Sequence, residues 1–81
     1  MNFKESIYWK IYGDIFTLHK QFSDPVDADE FWSELVAESN NIYKKYKDLA
    51  EGEFAKDLLL AVAAEIERNY RARTLNENAT K

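Results

Sequence analysis

His19 is the one side chain in this sequence whose ordinary pKa lies near neutrality, so any acid–base chemistry would start there. A catalytic histidine needs a nucleophile or an orienting carboxylate within hydrogen-bond reach. Asp14 and Glu5 share its segment, but neither lies at the helical spacing of three or four. His19 therefore reads as a core-edge residue. The acidic run from Asp24 to Glu30 has the composition of a calcium loop, yet an EF-hand requires Gly at the sixth position and this chain has Asp29 there. Carboxylates near the positive end of a helix dipole explain the run without an ion.

Tyr43-Lys44-Lys45-Tyr46-Lys47 interleaves aromatic rings with positive charge, the combination that stacks bases and neutralises phosphates. Lys44, Lys45 and Lys47 are accordingly the candidate nucleic-acid contacts in the alternative reading of this chain. Both tyrosines fall on the apolar side of their segment, however, and lysines near a helix C-terminus also complement its dipole. Arg68, Arg71 and Arg73 admit the same explanation, and an antiparallel bundle puts the two basic clusters at opposite ends. Glu30, Glu34 and Glu38 recur one turn apart on a water-facing side. Dinuclear sites in bundles pair inward Glu with Glu-x-x-His, a motif this chain lacks, so the stripe reads as a solvated face or a recognition surface for a basic partner.

Trp9, Gly13 and Phe16 form the most suggestive group. They extend the apolar arc of the first segment sideways, beyond what one neighbouring helix covers. Glycine inside a helix costs about 1 kcal/mol relative to alanine unless close approach compensates. Either the third segment covers this flank, the placement favoured here, or the flank is an external contact surface. Leu60 sits among polar wheel neighbours and is expected in solvent, where a single leucine needs no explanation.

These side chains must be positioned by three helices. Asn2 to Glu5, Asp27 to Glu30 and Asp48 to Glu51 each pair a capping side chain with Glu three residues later, ahead of an apolar run at helical spacing. The first segment, about 3–22, carries Ile7, Tyr8, Ile11, Tyr12, Ile15, Leu18, His19 and Phe22 on one face, opposite Ser6, Lys10, Gly13, Thr17 and Lys20. Pro25 ends it, since proline disfavours helical geometry at Asp24 and donates no backbone hydrogen bond.

The second segment, about 28–46, turns Phe31, Trp32, Leu35, Val36, Ile42, Tyr43 and Tyr46 inward, with Val26 in position to staple its first turn. Ser39 lies within that apolar arc and must bond back to a carbonyl one turn earlier. The third segment, about 51–71, opens at Asp48 or at Gly52 and turns Phe54, Ala55, Leu58, Leu59, Val62, Ala63, Ile66 and Tyr70 inward. Short links make neighbours antiparallel. The expected fold is an all-α, up-down-up three-helix bundle: one domain over 1–73, then a disordered polar tail over 74–81.

Composition narrows the function classes. With 81 residues, one core is all the chain can build, and two Trp, five Tyr and five Phe are its main packing material. The absence of cysteine removes disulfides and thiolate sites, and a single His leaves no zinc set. No cofactor is expected. Gly13 and Gly52 are the only glycines, too few for phosphate loops or nucleophile elbows, so the chain is not expected to be an enzyme. A net charge of -4 disfavours general affinity for phosphate backbones or anionic lipid. Neither an apolar leader nor a span long enough for a bilayer is visible, so a cytoplasmic location without membrane contact is the expectation.

Tyr8-Trp9-Lys10, Phe22, Asp29-Glu30-Phe31-Trp32 with Leu35, Tyr43-Lys44-Lys45-Tyr46, Phe54-Ala55 with Leu58-Leu59 and Ala61-Val62, and Glu65-Ile66-Glu67-Arg68 follow one another across nearly the whole chain. In this order the chain resembles small reading frames of Gram-positive bacteria and their phages or integrative elements, which have no assigned activity. The resemblance implies a bacterial, intracellular, element-borne protein and transfers no functional residue. The expectation is a protein-interaction module of accessory or regulatory type. Its partner would be another protein or a second copy of itself, engaged through Trp9, Gly13 and Phe16 or through Glu30, Glu34 and Glu38.

Overall fold

The computed structural model describes residues 2–79. A 3-10 turn at Phe3–Glu5 precedes α1 (Ile7–Gln21), α2 (Asp29–Tyr46) and α3 (Gly52–Ala79). These form an all-α, up-down-up three-helix bundle in which each helix packs on the other two.

Two of the three expected helix starts move. Asn2 does cap a helix, but only the 3-10 turn, through a 3.1 Å bond from the Lys4 N–H to Asn2 Oδ1. The chain then becomes extended at Ser6, whose hydroxyl oxygen accepts from the Trp9 N–H and donates to the Phe3 carbonyl at 2.6 Å. Held on both sides, Ser6 is buried rather than on the expected polar face. This restart folds Phe3 back over α1, 6.3 Å from the rings of Trp9 and Tyr12. Asp27 does not cap α2. Ala28 occupies that position with no side-chain bond, leaving Asp29 and Glu30 in the first turn, where the dipole favours them. Val26 is exposed. Of the two possible starts for α3, the chain uses Gly52.

The core is built from Ile11, Ile15, Leu18 and Phe22, then Leu35, Ile42 and Tyr46, then Ala55, Leu59 and Ile66. Aromatic edges clasp both ends of it. Phe54 of α3 receives Tyr8 and Tyr12 of α1 at 5.4 and 5.7 Å. At the other end Phe22, Phe31, Trp32 and Tyr70 step from α1 to α3 through successive edge contacts of 4.9 to 5.4 Å. Tyr8, Tyr12 and Val36, expected inward, are exposed at the rim of this core. Ser39 bonds the Leu35 carbonyl at 2.7 Å, as its place in the apolar arc requires.

Past residue 71, where apolar periodicity fades, α3 does not end but continues to Ala79. Arg73 explains part of this extension: its guanidinium reaches Asp24 Oδ1 at 2.8 Å and the Pro25 carbonyl at 3.2 Å, anchoring α3 to the α1–α2 link. The polar tail expected over 74–81 is thus helical as far as Ala79, and its last two residues lie outside the described range. Among the described residues no helix is long and apolar enough to cross a membrane.

Candidate protein interface

Trp9, Gly13 and Phe16 lie on the outside of α1, not against α3 as favoured from spacing. Trp9 is 49% exposed and Phe16 69% exposed, far above the average for rings of this size in a folded domain. A Cβ built on Gly13 meets nothing within 4 Å, so no neighbour inside the bundle requires the glycine. What the glycine does create is a notch of about 340 Å³, lined by Trp9, Tyr12, Gly13 and Phe16. The flank fell outside the bundle because α1 turns toward α3 through Tyr8 and Tyr12, which already occupy Phe54.

Sequence spacing missed two members of this face. Phe3 joins only because Ser6 breaks the helix, and Tyr12 counts as core on a wheel although its ring stands at the edge. The Lys4 ammonium lies 5.9 Å above the Trp9 ring, a cation–π distance that steadies an otherwise solvent-exposed indole.

Glu30, Glu34 and Glu38 are all exposed on α2, and the structure does not bring them to the aromatic face. Lys45, further along the same stripe, pairs at 3.0 Å with Asp14. Asp14 and Tyr12 are two residues apart on α1, hence about 200° around its axis, on opposite flanks. The acidic stripe therefore follows one side of α1 and the aromatic face the other.

Asp14 is the polar residue that sequence reading undervalued. Its Oδ2 accepts from Lys45 and, at 2.5 Å, from the hydroxyl of buried Tyr46, tying α1 to α2. No signal at a separation of 32 residues could have shown this pair. Burial, helped by the neighbouring Asp14 carboxylate, raises the Tyr46 hydroxyl from the ordinary 10.0 to about 12. An unfolded chain releases this proton near pH 10 while the folded chain keeps it to about pH 12. Its contribution to stability is therefore complete below pH 10 and is lost as pH rises through that window. Urea unfolding at about pH 9 and about pH 11.5 should show wild type losing more stability than Tyr46→Phe; equal losses would remove Tyr46 as the cause.

The other candidates do not assemble into chemistry. His19 is half-buried beside Phe16, Lys20 and Ser23, and the nearest carboxylate on its helix, Asp14, is engaged by α2. Lys44 and Lys47 are exposed and Lys45 is ion-paired, while Tyr46 is buried and Tyr43 half-buried, so these rings are not presented for stacking on bases. Arg68, Arg71 and Arg73 pair with Glu65, Glu67 and Asp24. Among the described residues no group of three or more His, Cys, Asp or Glu could hold a metal ion. Leu60 is 60% exposed, as expected, but it is not isolated: with Val36 it borders a trough between α2 and α3.

Comparison with protein-family models, with curated proteins and with solved structures gives no match.

Proposed function

We propose that this chain is a non-enzymatic protein-interaction module, an accessory or regulatory protein of a bacterial mobile element, whose docking face is the aromatic side of α1. The observation that carries the reading is Gly13. It sits between two exposed aromatic side chains in mid-helix, and nothing in the bundle needs its missing side chain. A helix retaining glycine at a cost of about 1 kcal/mol is accounted for if the notch receives a side chain from outside. Trp9 and Tyr12 are also the residue types that supply most binding energy per contact, because they bury large areas with little rotamer entropy. The resemblance to small reading frames of bacterial elements bears only on the bacterial, element-borne origin in this reading.

Gly13→Ala separates stability from function. It should raise stability by about 0.5–1 kcal/mol, because helix propensity improves and no clash opposes it, while weakening capture of the partner. The direct test is affinity capture from the source cell with wild-type, Trp9→Glu and Phe16→Glu chains, all first shown to be equally helical. A protein retained by wild type and lost from both variants supports the reading. Equal recovery with all three chains overturns it.

A further inference from the structure

The notch between Trp9 and Phe16 is not alone on α1. A second hollow of about 320 Å³ follows it, lined by Phe16, His19, Lys20 and Ser23. Both linings have the same spacing, i, i+3, i+4 and i+7, and the second set begins at Phe16, where the first ends. Four residues so spaced form the hole that receives one side chain of a facing helix, and the equivalent hole lies seven residues further along the seam. Seven helical residues rise about 10 Å. An extended strand puts successive side chains of one face about 7 Å apart, which fits neither one hollow nor two. The pair of hollows therefore has the pitch of a helix laid along α1.

The cations at this face lack partners. Lys4 stands over the Trp9 ring and Lys20 lines the second hollow; both are exposed, and neither belongs to an ion pair among the described residues. No carboxylate lines either hollow. Asp14, the one carboxylate of α1, is on the far flank and is held by Lys45 and Tyr46. A basic aromatic strip thus lies on a chain whose net charge is -4. The trough between α2 and α3 has no such bias, since Lys56, Arg71 and Glu67 all line it and Arg71 is paired with Glu67.

A second copy of the chain does not supply the complement. Among the exposed large apolar side chains of the described residues, only Trp9 and Phe16 stand seven residues apart, and α1 docked on α1 would set lysines against lysines. The stripe of Glu30, Glu34 and Glu38 is acidic, but the apolar residue on its side is only Ala37.

We infer, on the footing that α1 presents a docking face, that its occupant is an acidic amphipathic helix of another protein. That helix lays apolar side chains seven residues apart into the two hollows and sets carboxylates beside Lys4 and Lys20. The apolar seam supplies affinity, and the flanking charges select the partner.

Helical peptides of about three heptads, cross-linked internally to hold the helix, are the probes. One has a Leu seam with Glu flanks, a second the same seam with Lys flanks, and a third the acidic composition broken by prolines. Fluorescence anisotropy against the intact chain should give the Glu helix a dissociation constant of roughly 10–100 µM and the other two at least ~10-fold weaker binding. With circular dichroism confirming each fold, Phe16→Glu and the double variant Lys4→Glu, Lys20→Glu should each weaken the Glu helix by at least ~10-fold, while Leu60→Glu, away from α1, leaves it unchanged. Gly13→Leu, at a position where a Cβ meets nothing within 4 Å, fills the first hollow and should weaken it similarly. A Glu helix with the facing Leu cut back to Ala should then recover affinity for that variant.

Equal binding by the Lys helix or the proline-broken peptide, no binding of the Glu helix up to about 1 mM, or full affinity in Phe16→Glu overturns the proposal. So does tighter, Phe16-dependent binding of an anionic vesicle or a single-stranded oligonucleotide. If the Glu helix fails while cellular capture still depends on Trp9 and Phe16, the docking face stands and only this partner is removed. If capture is also indifferent to Trp9 and Phe16, the docking face falls with it.

Discussion

Ile11→Ala should cost about 3 kcal/mol and lower the melting temperature by roughly 10–25 °C. Ile11 has no exposed surface and belongs to the core cluster shared by all three helices, so truncation leaves a cavity that close-packed neighbours cannot fully close. A domain of this size is typically stable by about 4–12 kcal/mol, which makes the loss a large share of the total. Leu60→Ala provides the contrast. The same kind of truncation at an exposed position should change monomer stability by less than about 0.5 kcal/mol. Urea unfolding with unchanged slope measures both, and a loss below about 1 kcal/mol at Ile11 would mean that the site is not packed as described.

Gly52→Ala should destabilise by about 1–3 kcal/mol, opposite in sign to the same substitution at Gly13. A Cβ at position 52 would lie 2.6 Å from the Tyr46 carbonyl oxygen and 2.9 Å from that of Lys47. These are backbone atoms at the end of α2, and no rotamer change relieves the clash, so the turn between α2 and α3 must open. The glycine has no positive φ, which makes close approach, not a left-handed turn, its reason for being there. Comparing both variants in one denaturation series is the check: a stabilised Gly52→Ala would show that the turn is looser than described.

The two glycines illustrate what could and could not be read beforehand. On a helical wheel both are small residues in or near a helix, with the same intrinsic cost. One proves to be a steric necessity of the α2–α3 turn and the other an unfilled notch on an exposed face. Telling them apart requires the position of a carbonyl from another element. Ser6 and Asn2 make the same point at shorter range. Both are good caps, and Ser6 opens α1 because its hydroxyl can also reach back to Phe3, which brings a further ring onto α1. Val36 counted as core by periodicity, yet three helices cover only part of the α2 surface and α1 lies on the other side.

Helical periodicity is a local property, written into residues three and four apart. The amino-acid order alone was therefore enough to establish three amphipathic helices, their antiparallel sequence, the central core residues Ile11, Leu18, Leu35, Leu59 and Ile66, and the lack of glycine-rich catalytic motifs. Which apolar flanks remain uncovered and which carboxylate holds Tyr46 were decided only by tertiary packing. Those outcomes depend on the rotation and level of each helix relative to the others. Contacts between residues tens of positions apart set these two variables, and no spacing within a single segment encodes them.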